Sequence, residues 1–334
     1  MNFTALEKFI ATLPRYRAAQ INAAIFNLLL TDWTLASNLP LSLRQKLNTV
    51  FPLNLQAKIF NSPPNSQKAL LTLNDGLLVE TVLMRHPNRQ TVCLSSAVGC
   101  PLNCVFCATG QQGFKRNLTT GEIVAQALFW ARLLKKEHQK ITNLVFMGMG
   151  EPLLNYQAVM TAIRIFNNPK QFGFGARRLS LSTVGIPDKI KKIAADALPI
   201  NLAFSLHAPE EKLRQELIPY NKKYSLKENL AALTFYYQKT KRQIMIEYLM
   251  LKNINDSTAH ALQLVNLLKK YPADFFVNLI TYNYTPHQKN LKPSPPTAIK
   301  NFLTILKKHH LKAGARYRFG ASLSAACGQL TGQI

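Results

Sequence analysis

The second half of the chain alternates short apolar runs with longer amphipathic stretches, and this rhythm constrains the fold more than any other feature. The apolar runs begin near Leu144, Leu179, Asn201, Ile244 and Phe275. Strands that alternate with helices predict parallel pairing through right-handed crossovers. Five or six such units predict an α/β protein with a partial or full βα barrel, in which the chemistry lies at the C-terminal ends of the strands.

The first part of the chain predicts a different structure. Residues 1 to about 62 show helical patterns, and the stretch Pro63-Pro64-Asn65-Ser66 is typical of a linker. Two strands are predicted next, over residues 77–84 and 91–97, on either side of a turn. We therefore expect a small helical region, a short β segment and then the barrel. Within the barrel region, the capping-box pattern Thr119-x-x-Glu122 predicts the start of a helix.

The charge of the chain is strongly unbalanced. Lys and Arg number 41 against 16 Asp and Glu, so the formal net charge is +25. A polyanionic partner such as nucleic acid would offset the self-repulsion of this surface, although a lysine-rich proteome would raise the charge as well. The basic residues cluster at Arg177-Arg178, Lys189 to Lys192, Lys222-Lys223 and Lys307 to Arg318.

The sequence also predicts the cellular location of the protein. No apolar run approaches the ~20 residues of a membrane helix, and the N-terminus lacks the features of a signal peptide. We therefore expect a cytoplasmic protein. In the reducing cytosol its five cysteines serve as metal ligands or in redox chemistry more readily than in structural disulfides.

Three of these cysteines form a compact motif after the first core strand. Cys100, Cys104 and Cys107 can converge on one metal centre, and three ligands leave the fourth iron of a 4Fe–4S cluster open to a substrate. The alternative is a zinc site completed by His138 or His207, but such sites usually pair two short spacings. The observed spacing, with an aromatic residue before the last cysteine, is instead the radical S-adenosylmethionine (SAM) signature.

Motifs in family order from about residue 75 onward resemble the RlmN/Cfr family of radical SAM RNA adenine methyltransferases. The matching stretches are Val98 to Thr119, Met147 to Leu153, Phe204 to Pro209, Asn221 to Tyr224 and Ala325 to Leu330. The resemblance implies four segments. They are a helical N-terminal accessory domain for RNA binding (1–62), a β linker (63–90), a partial βα-barrel radical SAM core (91–318) and a C-terminal loop (319–334).

The resemblance also implies the chemistry. Two SAM molecules are used per turnover: one methylates Cys327, and the other is cleaved to a radical that takes a hydrogen from that S-methyl group. The resulting carbon adds to adenine, and Cys93 then releases the product through a transient disulfide with Cys327. A radical route makes physical sense because an aromatic C–H carbon is a poor nucleophile. Without the resemblance, Cys327 would more often be a small buried packing residue than a nucleophile, and Cys93 could be a buried strand residue.

Further site residues follow from the resemblance by position. SAM contacts are implied for Gly150, Glu151, Ser182, Ser205, Leu206, His207 and Asn283. Glu80 matches a glutamate proposed as the proton acceptor. It shares a strand face with Val82 and Met84, although an exposed glutamate in a salt bridge is an equally good interpretation.

The implied substrate is adenine C2 in 23S rRNA and also in tRNA, with flavodoxin or ferredoxin as a low-potential electron donor. Pro152 and the Gln111 to Phe114 stretch favour this RlmN-type activity over Cfr-type methylation of C8. The segment Arg318 to Ser324 departs from the family pattern and leaves the substrate choice of the loop open. An alternative of another class is a non-enzymatic, zinc-stabilised RNA-binding protein.

Overall fold

The computed structural model describes residues 1–62, 65–196, 198–285, 290–316 and 327–332. Pro63-Pro64 of the expected linker and the atypical segment 318–324 lie outside the described residues, as does most of the expected C-terminal loop. Within the described residues the strands are β1 Ala57–Ser62, β2 Ser66–Thr72, β3 Leu78–His86, β4 Arg89–Leu94, β5 Ala97–Gly99, β6 Phe114–Asn117, β7 Asn143–Phe146, β8 Leu179–Thr183, β9 Asn201–Ser205, β10 Ile244–Met250, β11 Phe275–Thr281 and β12 Lys312–Ala315.

These strands form one large open sheet with a parallel part and an antiparallel part. The order is β1-β2-β3-β4-β7-β8-β9-β10-β11-β12, and β5 pairs separately with β6. Every pairing from β4 to β12 is parallel, whereas β1 to β4 are joined as antiparallel neighbours. The predicted α/β fold with a partial barrel is therefore confirmed, and each apolar run singled out in the sequence is one of the parallel strands.

Helices connect the parallel strands and cover the sheet. They are α1 Phe3–Ala11, α2 Arg15–Asn22, α3 Leu41–Val50, α4 Ala108–Gln111, α5 Thr120–Lys136, α6 Tyr156–Asn167, α7 Pro187–Ala195, α8 Glu211–Leu217, α9 Leu226–Thr240, α10 Thr258–Lys269 and α11 Pro296–Lys308. Helix α5 begins with a complete capping box between Thr119 and Glu122, as its sequence predicts. Among the helices that the structure describes, none is long and apolar enough to cross a membrane.

Helix α5 also ties the N-terminal helices to the sheet. The guanidinium of Arg132 donates to the carbonyls of Leu30 and Leu53 at 2.6 and 2.8 Å, and Lys135 donates to the Leu28 carbonyl at 2.7 Å. The N-terminal apolar residues and those of the sheet belong to one continuous buried cluster. This region is therefore packed firmly against the rest of the chain.

The prediction of helix up to residue 62 is wrong at its end. Residues 57–62 form strand β1, whose register with β2 runs from Ala57 opposite Leu71 to Ser62 opposite Ser66. Strand β1 was not expected, and β2 was covered only by the general expectation of a β linker, because short half-polar strands owe their stability to the neighbour with which they pair. The strand expected over 91–97 also ends early, at Leu94, and the chain resumes extended structure only in β5.

The register of the parallel strands brings polar side chains onto one face of the sheet. Neighbours in register share a face, and side chains along a strand alternate between faces. Ser205 lies beside Glu247, and Glu247 lies beside Asn278. Ser182 and Cys93 lie on the same face through their partners in β9 and β7. This inner face borders the candidate active site.

Candidate active site

A cavity lies at the C-terminal ends of strands β7 to β11, where the barrel prediction expects chemistry. Its empty volume is about 1000 Å³, including space open to solvent, which is ample for a small-molecule cofactor. Of the described residues predicted for the site, nine line it: Cys100, Cys104, Cys107, Gly150, Glu151, Ser182, Ser205, His207 and Cys327. Four others, Leu206, Asn283, Cys93 and Glu80, lie outside its lining.

The three-cysteine loop begins directly after β5. Gly99 has a φ of +76°, and a Cβ at this position would collide with the carbonyl oxygen of Gly113. That oxygen accepts the N–H of Cys100 at 3.0 Å. Glycine is therefore required where the chain enters the loop, because both the backbone conformation and the close approach exclude a side chain.

The thiols of this loop fit an iron–sulfur cluster in donor type and location. Burial raises the pKa of Cys100 to about 12 and that of Cys104 well above its ordinary value. A bound metal centre would displace these protons, because thiolate is the ligand form. Among the described residues no group of His, Cys, Asp or Glu is arranged around a single metal ion. In a 4Fe–4S cluster, by contrast, each thiolate binds a different iron.

The loop after β7 presents a buried carboxylate to the cavity. Gly150 has a φ of +93°, and a Cβ there would lie 2.6 Å from the Cβ of Ala97. Glu151 accepts the N–H groups of Leu153 and Val184, each at 2.9 Å. Burial raises the pKa of Glu151 to about 7 despite these hydrogen bonds. The carboxylate can therefore receive a cationic group such as the amino group of SAM.

We expect SAM binding to depend on the ionisation of Glu151. The protonated carboxyl cannot pair with an ammonium group, and with a pKa of about 7 the affinity should be roughly fivefold to tenfold weaker at pH 6 than at pH 7.5. Anaerobic calorimetry measures this ratio. Glu151→Gln should bind weakly with little pH dependence, whereas Glu228→Gln, at an exposed glutamate, should behave like the wild type. An unchanged pH profile in Glu151→Gln would refute the role.

A neutral histidine completes the wall formed by the ends of β9 and β10. His207 Nδ1 accepts the N–H of Leu249 at 3.0 Å, and its ring packs edge-to-face on Phe106 with centroids 4.8 Å apart. Burial, together with the nearby charge of Arg214, lowers the pKa of His207 to about 3. The hydroxyls of Ser182 and Ser205 are 3.3 Å apart on the same wall. His207, Ser182 and Ser205 thus give this wall neutral hydrogen-bonding groups, suited to a polar ligand.

Sequence reasoning missed Arg214, a fully buried residue of α8. It donates to the carbonyls of Val184, Ser205 and Leu206, at 2.5, 2.9 and 3.0 Å. Arg214 thereby joins the ends of β8 and β9, so that the backbone of Leu206 is held although its side chain does not line the cavity. An arginine in an otherwise polar helix carries no sequence signal of burial.

Glu247 was also missed, although a signal existed. It is the one charged residue in the apolar strand β10, and its carboxylate forms an ion pair with Arg316 at 3.4 Å. Arg316 further donates to the sulfur of Met147 at 3.3 Å and lines the cavity. A lone acidic residue in an apolar strand indicates a buried polar function.

The two remaining cysteines lie near each other and near Arg316. Cys93 is buried and Cys327 is exposed. Burial and the charge of Cys327 together raise the pKa of Cys93 to about 12, and the charge of Arg316 opposes this shift. Cys327 in turn is the main group that raises the pKa of Arg316. The structure thus brings together two thiols and a cation that can stabilise either thiolate.

Asn283 and Glu80 contact the C-terminal segment instead of the cavity. Asn283 donates to the carbonyl of Cys327 at 3.3 Å. Glu80 is fully buried, and it forms an ion pair with Lys68 at 2.9 Å. Of the two interpretations left open for Glu80, a solvent-exposed salt bridge is wrong, because the pair is enclosed between β2, β3 and the C-terminal segment.

Comparison with known proteins agrees with this geometry. Residues 94–265 match the Radical SAM superfamily. A crystal structure of a radical SAM methyltransferase from Sphaerobacter thermophilus is similar over 100% of this chain and 98% of that one, with a TM-score of 0.95 and 39% identity. The fold and the three-cysteine cavity therefore define a radical SAM enzyme.

Curated relatives show to which family of radical SAM enzymes the chain belongs. A protein named "probable dual-specificity RNA methyltransferase RlmN" from Thermotoga petrophila is 44% identical over 321 residues, or 95% of this chain and 92% of the relative. A protein of the same name from Chloroflexus aurantiacus is 40% identical over 331 residues, 96% and 88% of the two chains. The chain belongs to the RlmN family of radical SAM methyltransferases.

Proposed function

We propose that this protein methylates C2 of an adenine in 23S rRNA and in tRNA, by way of an S-methylated Cys327 and a transient Cys93–Cys327 disulfide. The observation that carries the proposal is the position of Cys327 at the cavity that Cys100, Cys104 and Cys107 also line. A methyl group on this sulfur would face the place where the cofactors act. The names of the relatives support RNA as the substrate.

The residues of the cavity have separate tasks in this proposal. Cys100, Cys104 and Cys107 would hold a 4Fe–4S cluster, and Glu151 would receive the amino group of SAM. Further contacts would come from residues of the cavity lining, which are Gly150, Ser182, Ser205 and His207. Leu206 and Asn283 lie outside the lining and would contribute through backbone hydrogen bonds, from Arg214 to the Leu206 carbonyl and from Asn283 to the Cys327 carbonyl. The bound cluster and two SAM molecules per turnover supply a methyl group and a hydrogen-abstracting radical. The protein itself orients Cys327 through the hydrogen bond from Asn283 to its carbonyl.

In this proposal, Cys93 releases the methylated product. The thiolate of Cys93 attacks the sulfur of Cys327, forming the S–S bond and breaking the S–C bond to the base. The electron pair remains on the carbon, which takes up a proton to become the methyl group. Thiolate is the attacking form, and burial holds the pKa of Cys93 at about 12. The cation of Arg316 lowers this pKa, so Arg316 favours the attack.

The partners we propose are 23S rRNA, tRNA and a low-potential flavodoxin or ferredoxin, all in the cytoplasm. The net charge of +25 supports a polyanionic substrate. The target adenine must leave its stack to reach the cavity, which favours loops in the RNA. We assign 1–62 to accessory RNA contacts, 63–90 to the linker, 91–318 to the catalytic core and 319–334 to the loop that carries Cys327.

Mass spectrometry of nucleosides tests the proposal. We expect 2-methyladenosine in 23S rRNA and tRNA from cells that express the protein, and its absence from both when the gene is deleted. Complementation with the wild type should restore it, whereas Cys327→Ala should not. The finding of 8-methyladenosine would show that C8, and not C2, is the modified carbon. If 2-methyladenosine depended on the gene in rRNA alone, tRNA would be excluded as a substrate. Unchanged nucleosides after deletion of the gene would refute the methyltransferase proposal.

A further inference from the structure

Glu80 lies at the junction of the antiparallel strands and the C-terminal segment, residues 327–332. One carboxylate oxygen accepts Lys68 Nζ at 2.9 Å, and the other accepts the backbone N–H of Thr331 at 3.0 Å. The backbone of Glu80 is held as well, because its carbonyl accepts the hydroxyl of Ser95 at 2.6 Å. Both oxygens of this buried side chain are therefore engaged by the protein.

The ion pair has a simple origin in the β2–β3 hairpin. Lys68 pairs with Val82 and Glu80 pairs with Leu70, so the two charged residues are diagonal neighbours on one face. Both are buried. A buried carboxylate with a matched cation and a backbone N–H donor forms charge-assisted hydrogen bonds, which are stronger than neutral ones. This makes Glu80 a strong attachment point.

The C-terminal segment makes a series of contacts that ends at Glu80. The carbonyl of Gly328 accepts the N–H of Ala108 at 2.7 Å, and the carbonyl of Leu330 accepts the hydroxyl of Thr109 at 2.6 Å. The side chain of Gln329 donates to the carbonyl of Tyr284 at 2.7 Å. In this series of contacts, Glu80 binds the segment through a charged side chain, whereas the other hydrogen bonds join neutral groups.

We propose that Glu80 is a positioning residue that anchors the C-terminal segment through the Thr331 N–H, with Lys68 as its counter-ion. The inference rests on the proposed carrier role of Cys327. Thr331 lies four positions after Cys327, and an extended chain spans at most about 3.6 Å per residue. The anchor therefore keeps Cys327 within roughly 14 Å of a fixed point while the neutral contacts of the segment open and close.

Removal of the Thr331 N–H tests the anchor without altering Glu80 or Lys68. Thr331→Pro lacks the donor, and Thr331→Val keeps it while losing the hydroxyl. Hydrogen exchange in the holoenzyme should accelerate about tenfold at Ala108 in the Pro variant, because the N–H of Ala108 is protected by Gly328. RNA methylation should fall on the order of a hundredfold, since small misplacements are costly. Thr331→Val should resemble the wild type.

A charge-neutral pair of substitutions separates an anchor from a proton acceptor. Glu80→Gln leaves Lys68 as an uncompensated buried charge, and we expect fast exchange at Ala108 and low activity. Adding Lys68→Met removes that charge, and the glutamine can still accept the Thr331 N–H, so the double variant should regain most protection and activity. A double variant with normal protection but no activity would overturn the proposal in favour of a proton acceptor.

The hydrogen-exchange rate at Ala108 tests the anchor independently of RNA methylation. Unchanged exchange at Ala108 in Thr331→Pro would overturn the anchor even if methylation were normal in the wild type. Conversely, a wild type that methylates neither Cys327 nor RNA would refute the proposed function, while accelerated exchange in Thr331→Pro, with Thr331→Val unchanged, would still support the anchor.

Discussion

Replacing Cys104 by Ala should yield a protein without an iron–sulfur cluster and without methyltransferase activity. Cys104 is buried in the cavity wall between Cys100 and Cys107, and two remaining thiolates cannot hold a cubane that already lacks a fourth protein ligand. After anaerobic reconstitution the wild type should be brown, with roughly four irons and matching sulfide per chain, and the variant nearly colourless. Methylation should fall by on the order of 10³ or more.

The matched control is Cys93→Ala, which removes a buried cysteine outside the cavity lining. This variant should keep its iron, sulfide and absorbance, because Cys93 does not line the cavity with the three ligands. A wild-type protein that bound one zinc and no iron would contradict the cluster and favour the zinc-stabilised RNA-binding alternative. Equal iron content in Cys104→Ala and the wild type would also contradict the assignment.

The second large effect concerns the pair formed by Cys327 and Cys93. Cys327→Ala should abolish RNA methylation while reductive cleavage of SAM remains measurable, because the proposed methyl carrier is lost and the cofactor cavity is intact. Cys93→Ala should instead accumulate RNA attached covalently through Cys327, because no second thiolate can release the base. Denaturing gels with labelled RNA detect this adduct, and peptide mass spectrometry locates it.

The double variant Cys93→Ala/Cys327→Ala controls for unspecific crosslinks and should give no adduct. Arg316→Met combined with Glu247→Gln should slow product release, since Arg316 lowers the pKa of Cys93, and the second change avoids a buried carboxylate without its ion pair. Free methylated product at normal yield from Cys93→Ala would reject Cys93 as the resolving residue. An adduct formed without Cys327 would reject Cys327 as the carrier.

Much of the βα core could be predicted because its strands and helices follow from local sequence patterns. The alternation of apolar runs with amphipathic helices predicted the parallel strands, and the capping box at Thr119 and Glu122 predicted the start of α5. The three cysteines lie within eight residues, so their convergence needed no tertiary information. Strand β1 escaped prediction, and the bounds of β2 within the expected β linker were not predicted, because their half-polar residues become strands through pairing with each other and with β3.

The sequence by itself determined the class of fold, the three-cysteine loop and the family, since each is written in short-range spacing or in motif order. Only the tertiary structure decided which distant groups meet. Glu80 and Thr331 are 251 positions apart, Arg214 reaches the ends of two strands, and Cys93 interacts electrostatically with Cys327. The physical reason is that hydrophobic periodicity tells which face of an element is buried, whereas the partner of a buried charge or thiol depends on how the elements pack.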